Sequence, residues 1–130
     1  MTDINLLDAT QIFMEKGQQL NTVGFPQAVY DELRTLRRHL LDEEYSEYMH
    51  AESDSNIVEV VDGLLDVIVI AWGTLLAYVG PDAAKAAAAE VVRSNLDKVI
   101  GVNLPIFRED GKIMKPPGWV APNIAGALGL

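Results

Sequence analysis

From Ile57 to Val79 the chain reads IVEVVDGLLDVIVIAWGTLLAYV, an apolar stretch with only three charged residues. Val67-Ile68-Val69-Ile70 alone could pass for a buried strand. The whole stretch, however, is longer than any ordinary strand and contains no breaker stronger than Gly63 and Gly73. It is therefore expected to form a helix. A helix that is apolar nearly all round needs cover on nearly every side, from a surrounding bundle or from another subunit. This favours an all-α fold and makes the polar residues in the stretch informative. Glu59, Asp62 and Asp66 follow steps of three and four, so they form one acidic line along this third helix. The run from Gly63 to Val79 is interrupted by Asp66 and is short for a bilayer span, so no membrane association is expected.

A matching acidic group precedes it. In the second helix, expected from Gln27 to Glu52, Val29, Leu33, Leu36 and Leu40 step by four, three and four. That is a core-facing stripe. Continuing the same steps reaches Glu43 or Glu44 and then Glu47, so carboxylates replace leucines on the buried face. An ordinary solvated acidic surface would lie opposite the stripe. Ala51 to Asn56 is rich in Ser, Asp and Asn and is expected to be the turn. In antiparallel helices, facing residues lie equally far from the turn centre. With the centre at Ser53, Glu47 and Glu59 are each six residues away, and Glu44 and Asp62 nine. Four carboxylates would then converge between two helices, an arrangement that requires cations. Glu59 has an ordinary alternative as the N3 residue of a capping box begun by Asn56, but that leaves Asp62 and the preceding helix unexplained.

The remaining segments frame this hairpin. Asp3 to Gly17 is expected to form a short first helix, followed by a connector through Pro26. Gly80-Pro81-Asp82 ends the third helix and starts a fourth, running from Asp82 to Val99. Arg93 and Lys98 near its end have an ordinary reading as helix-dipole partners. Residues 100–130 form a Pro- and Gly-rich tail, in which Phe107 to Met114 carries a central Asp110-Gly111, the signal of a tight hairpin turn. The expected organisation is a single domain over residues 1–130, with a helical bundle over 1–99 and the tail over 100–130.

The formal charge of −9, from ten basic and nineteen acidic residues, argues against general binding to nucleic-acid backbone. It suits cations instead. Cysteine is absent, which excludes disulfides and thiolate metal sites. The first twenty residues lack the pattern of a signal peptide, and a cytoplasmic location is expected.

These residues resemble a known family. Glu43-Glu44-Tyr45-Ser46-Glu47 followed by Glu59-Val60-Val61-Asp62 looks like the paired E-x-x-E and E-x-x-D signature of the all-α nucleoside triphosphate pyrophosphohydrolases. That superfamily includes the MazG proteins, the dimeric dUTPases and the phosphoribosyl-ATP pyrophosphohydrolases. Arg93-Ser94-Asn95-Leu96-Asp97-Lys98 is similar to the R-S-N-x-x-K segment of its MazG-like branch. Arg108-Glu109-Asp110-Gly111-Lys112-Ile113-Met114-Lys115 is similar to the R-E-D-G-K-x-x-K tail, with a departure at Pro116-Pro117, where that tail often reads Lys-Gly-Pro. The resemblance covers most of the chain, from Phe13 to about Pro122.

The resemblance implies a four- to five-helix MazG-like bundle, assembled as a homodimer or homotetramer. It also implies a Mg²⁺-dependent cleavage of a nucleoside triphosphate between its α and β phosphates. Carried over by position, Glu44, Glu47, Glu59 and Asp62 would be metal ligands, and Glu43 would bind a further ion or orient the attacking water. Asn95 and Lys98 would contact substrate phosphate or sugar, assisted by Lys112 and Lys115, with Asp66 a further candidate for substrate contact. An all-carboxylate donor set without His or Cys fits Mg²⁺, with Mn²⁺ as a substitute, better than zinc.

Three alternatives remain open at this point. One is phosphoribosyl-ATP as the substrate. Another is a non-catalytic helical oligomer or adaptor whose acidic hairpin binds cations. The third is a di-iron bundle, which typically uses a Glu-x-x-His motif, and neither His39 nor His50 follows a Glu at that spacing. Tyr45, Tyr48 and Trp72 could stack on a base, but helical aromatics more often belong to the core.

Overall fold

The computed structural model describes residues 3–26 and 29–130. Among these residues it is predominantly helical and has no strand. Its elements are α1 (Leu6–Lys16), α2 (Asp31–Ser53), α3 (Ile57–Leu96) and the single-turn α4 (Ile124–Ala127). The chain divides into two compact units, Met1–Pro81 and Asp82–Leu130.

In the first unit, Asn5 caps α1 by accepting the Asp8 N–H at 2.8 Å, and Gly17 ends it. The expected start of the second helix at Gln27 lies outside the described residues; α2 is helical from Asp31 and continues to Ser53. The side chain of Asn56 accepts the Glu59 N–H at 3.2 Å and so opens α3. The turn between α2 and α3 is therefore Asp54-Ser55-Asn56, with Ser55 at positive φ. That is two residues later than expected, because Ala51 is buried and holds the last turn of α2 in the helix.

The inward face of α2 runs through Leu33, Arg37, Leu40, Glu44, Tyr48 and Ala51. Arg37 is its deepest member, only 3% exposed. Its guanidinium donates to the Thr74 hydroxyl at 3.0 Å and to the Ile70 carbonyl at 3.1 Å. Burial pushes its pKa down, yet guanidinium basicity is high enough to keep it charged at neutral pH. Gly73 makes room for it, since a Cβ there would lie 2.7 Å from the guanidinium. Met14, Trp72, Leu76 and Ala77 complete the core of this unit.

The expected break between a third and a fourth helix appears as an interruption inside α3. Gly80 adopts φ 82° and ψ 167°, and Pro81 follows it. A regular helix would bond the Leu76 carbonyl to the N–H of residue 80 and the Tyr78 carbonyl to that of residue 82. The connector after α1 supplies substitutes. The Asn21 backbone N–H donates to Leu76 O at 3.3 Å, and the Asn21 side-chain amide donates to Tyr78 O at 3.1 Å. The same side chain accepts from the N–H groups of Val23 and Gly24. One asparagine thus ties the connector to the end of the first segment of α3.

In the second unit, the tail packs on the helix that precedes it. Arg93 bonds Glu90 on its own helix and Asp97 just beyond the helix end, and reaches the Ala121 carbonyl at 3.1 Å. Glu90 also accepts the Asn123 N–H at 2.8 Å. Arg93 is therefore a tail anchor as well as a charge near a helix end. The expected hairpin at Asp110-Gly111 is present as an isolated antiparallel bridge between Phe107 and Ile113. It is closed by Arg108 N–H to Lys112 O at 2.8 Å and by Met114 N–H to Ile106 O at 2.7 Å.

By length and composition alone, α3 is long and apolar enough to cross a membrane, which the shorter stretch considered in the sequence was not. Only 28% of its most apolar window is buried within this chain, so α3 retains much uncovered apolar surface. Val61, Leu64, Leu65 and Ile68 are all exposed.

Replacing Asn21 by alanine removes the partner of the Tyr78 carbonyl beside the break. The expected cost is about 1–3 kcal/mol, the penalty for an unmade buried hydrogen bond, read as a lower midpoint in urea denaturation.

Candidate metal centre

The site lies on the seam between α2 and the first segment of α3. Its register is set where the two backbones come closest. A Cβ on Gly63 would stand 3.0 Å from the Tyr48 Cα and 3.2 Å from its Cβ, so the glycine permits nearly direct backbone contact. Tyr48 and Gly63 flank Ser55 at almost equal sequence distance, as do Arg37 and Gly73 further along the seam. The pairing centre is thus Ser55 rather than Ser53.

This shift changes which acids meet. The expected facing pairs were Glu47 with Glu59 and Glu44 with Asp62. Instead, Glu44 and Asp66, each eleven residues from Ser55, come together. Glu44, Glu47 and Asp66 each offer a carboxylate oxygen, and these oxygens all lie within 4.8 Å of one another. The group could hold a metal ion. Glu44 and Asp66 are half-buried, whereas Glu47 is exposed at the flank. Of the two continuations of the apolar stripe, the inward one is Glu44. Glu43, one residue away and about 100° round the helix, is exposed.

Glu59 and Asp62 are exposed and lie outside this group. The backbone N–H of Glu59 takes part in the Asn56 cap, its ordinary role. Asp62 shares a face with Asp66 one turn away and extends the acidic line toward the turn. Asp66, expected as a substrate contact, stands in the ligand-bearing group. The acidic line on α3 was legible in the sequence; which of its members meets Glu44 depended on two residues of turn placement.

The electrostatics of the group favour a proton or a cation. Oε2 of Glu44 is buried and has no hydrogen-bond partner. Burial and the charges of Asp66 and Glu47 raise the Glu44 pKa above the usual carboxylate range. A buried acceptor without a donor, beside two further carboxylates, is costly unless a proton or a metal ion fills the gap. Hard carboxylate oxygens on a rigid helix pair suit a hard divalent cation. Arg37 lies two turns before Glu44 on the same inward face, its backbone about 10 Å away along the helix axis at 1.5 Å per residue. It makes no ion pair with the group.

The basic residues named in the sequence belong to the second unit. Asn95 is exposed, and its side-chain oxygen accepts from Lys98 Nζ at 3.2 Å. Lys98 and Lys115 each place Nζ 5.0 Å from the centre of the Trp119 ring. Lys112 is exposed in the hairpin, and its backbone N–H donates to Asp110. Tyr45 and Tyr48 have ring centroids 6.3 Å apart, and Trp72 belongs to the core.

Sequence reasoning missed Arg37 and Trp119. Arg37 carried a readable signal, a basic residue interrupting an otherwise apolar stripe. A cavity of about 350 Å³ in the first unit is lined by Gln19, Asn21, Leu33, Leu36, Ala77 and Tyr78. It lies near the Gly80 break, some eleven residues along α3 from Asp66, and has no part in the carboxylate group. No family model matches the chain, and no curated protein matches it either.

The pH dependence of the metal-free protein follows from Glu44. Its raised pKa means that the folded state keeps the proton to higher pH than the unfolded chain. The associated stability is present below the ordinary carboxyl pKa and is lost as pH rises through the raised value. In chelator, wild type should therefore lose stability as pH rises above the ordinary carboxyl range. Glu44→Gln should flatten that loss and raise the denaturation midpoint at pH 7.

Proposed function

We propose that this protein is a Mg²⁺-dependent nucleoside triphosphate pyrophosphohydrolase of the MazG-like kind, releasing a nucleoside monophosphate and pyrophosphate. The observation that carries the reading is the Glu44–Glu47–Asp66 group with its unpartnered, buried Glu44 oxygen. Its donor set fits the ion: carboxylates only, on two rigid helices, without a soft ligand. Mg²⁺ bound there would neutralise phosphate charge and polarise the reacting phosphoryl group; Mn²⁺ is the natural substitute. Glu44, Glu47 and Asp66 hold the ion in this reading, with Asp62 and Glu59 continuing the acidic line. Glu43 is the carboxylate available to orient water and accept its proton. Asn95, Lys98, Lys112 and Lys115 are assigned to the phosphates and sugar, because an acidic site needs separate cations to hold a polyphosphate.

The bond cleaved follows from the same residues. The chain contains no Gly-x-x-x-x-Gly-Lys-Ser/Thr loop, so the backbone cradle used for γ-phosphate transfer is missing. Attack at the α phosphate, with the β and γ phosphates leaving together, is the outcome assigned to this site. Asp66→Asn should lower turnover at saturating Mg²⁺ by at least about a hundredfold, in line with loss of charge stabilisation in the transition state, while the helical circular dichroism persists. In ¹⁸O-water the label should enter the monophosphate. A screen of ribo- and deoxyribonucleoside triphosphates, with phosphoribosyl-ATP included, identifies the substrate. Orthophosphate and a nucleoside diphosphate as primary products would refute the reaction, and no turnover on any of them would favour a cation-binding helical adaptor.

The uncovered apolar surface of α3 is assigned to a second copy of the chain, in a cytoplasmic homodimer or homotetramer. Burial in lipid is disfavoured because Asp62 and Asp66 lie within the same helix, and Arg37 is packed against it at Ile70. Sedimentation at micromolar concentration should show an oligomer, and Leu65→Asp should shift it toward monomer. A stable, active wild-type monomer would contradict the assignment.

A further inference from the structure

In the second unit, two lysines converge on one indole ring. Lys98 Nζ and Lys115 Nζ are each 5.0 Å from the Trp119 centroid, so they are separated by no more than twice that distance. Neither lies within salt-bridge distance of a carboxylate among the described residues, although the chain has nearly twice as many acids as bases. The nearby acids are engaged elsewhere: Glu90 and Asp97 hold Arg93, and Asp110 holds Arg108. Lys98 is instead oriented by the Asn95 side-chain oxygen at 3.2 Å. The ring itself is fixed, because its N–H donates to the Ser94 carbonyl at 2.6 Å and Ser94 is fully buried. Trp119 thus stands at the end of α3, beside Asn95 in its last turn and Lys98 just beyond it, and draws in Lys115 from the tail.

We propose that Trp119 is a positioning residue which holds the Lys98 and Lys115 ammonium groups ready for one pyrophosphoryl group. Two like charges gathered on one ring repel each other, and a bridging anion relieves that repulsion. The aromatic face attracts each ammonium without neutralising it, so both retain full charge for the ligand. Holding two flexible side chains in place beforehand lowers the ordering cost of binding. The ligand is the diphosphate portion of a nucleotide or free inorganic pyrophosphate, which share this chemistry. The assignment to substrate rests on the pyrophosphohydrolase reading; the anion site itself does not.

The test separates the two. Inorganic pyrophosphate is titrated calorimetrically at low ionic strength, with chelator present so that the carboxylate group takes no part, into wild type, Trp119→Phe and Trp119→Leu. Both variants lose the bond to Ser94, but only Phe keeps an aromatic face. A purely structural role would therefore weaken them alike. Phe should bind within about threefold of wild type and Leu about tenfold more weakly, as expected for loss of two exposed cation–π contacts. Lys115→Ala, which leaves the ring and its anchor intact, should also weaken binding about tenfold. In turnover assays with Mg²⁺, Leu should raise KM for the nucleotide with little change in kcat, which distinguishes the nucleotide-bound diphosphate from free pyrophosphate as the ligand. Equal affinities for Phe and Leu, or no pyrophosphate binding by wild type, would overturn the proposal even if nucleotide turnover is found. A Phe–Leu difference in pyrophosphate affinity without turnover on any nucleotide would uphold this site and refute the hydrolase reading.

Discussion

The near-contact of the α2 and α3 backbones at Tyr48 and Gly63 is the constraint on which the acidic site depends. Only a residue without a Cβ allows the helices to approach so closely, and that approach fixes both separation and register. With Tyr48 against Gly63, Glu44 is carried next to Asp66 and Arg37 next to Gly73. A wider seam would admit water and lower the cost of the buried Glu44 oxygen. The same glycine therefore contributes to helix packing and to the strain that a cation relieves.

Along this seam the charges are segregated. The carboxylates cluster near the turn, and the buried guanidinium sits two turns away, held by a hydroxyl and a carbonyl rather than by an acid. If Arg37 were ion-paired to Glu44, the acid would have its partner and the case for a cation would weaken. Because Arg37 is satisfied elsewhere, the three carboxylates are left to share a proton or an ion. Gathering like charges in this way costs stability unless a proton or an ion is shared between them.

The second unit handles charge differently. Its arginines are consumed in structure: Arg93 ties the tail to the helix, and Arg108 closes the hairpin with Asp110. Its lysines at positions 98 and 115 are kept from carboxylates and set on an indole. Planar guanidinium groups suit several fixed carbonyl and carboxylate partners at once, while compact ammonium groups on flexible stems remain available to a ligand. The unit thus combines arginines tied into the scaffold with lysine ammonium groups set on an aromatic face.

Much of this was legible in the sequence because it depends on local rules. The length and composition of residues 57–79 determined a helix rather than a strand. Gly80-Pro81 determined the break, since one residue takes a positive φ and the other lacks an N–H. Asp110-Gly111 determined the hairpin, and the continuation of the apolar stripe determined that Glu44 turns inward, whereas Glu47, expected on the same face, is exposed. The facing pairs were not determined. Each residue by which the turn shifts moves the partner across the hairpin by two, so helical propagation of α2 through Ser53 replaced Asp62 by Asp66 opposite Glu44. Nor could local pattern reveal that Asn21 serves the carbonyls at the α3 break, or that Trp119 gathers lysines from two separate segments. The Asn21–Tyr78 contact spans 57 positions, and Lys98 and Lys115 reach Trp119 from the end of α3 and from the tail; only tertiary packing decides which of them meet.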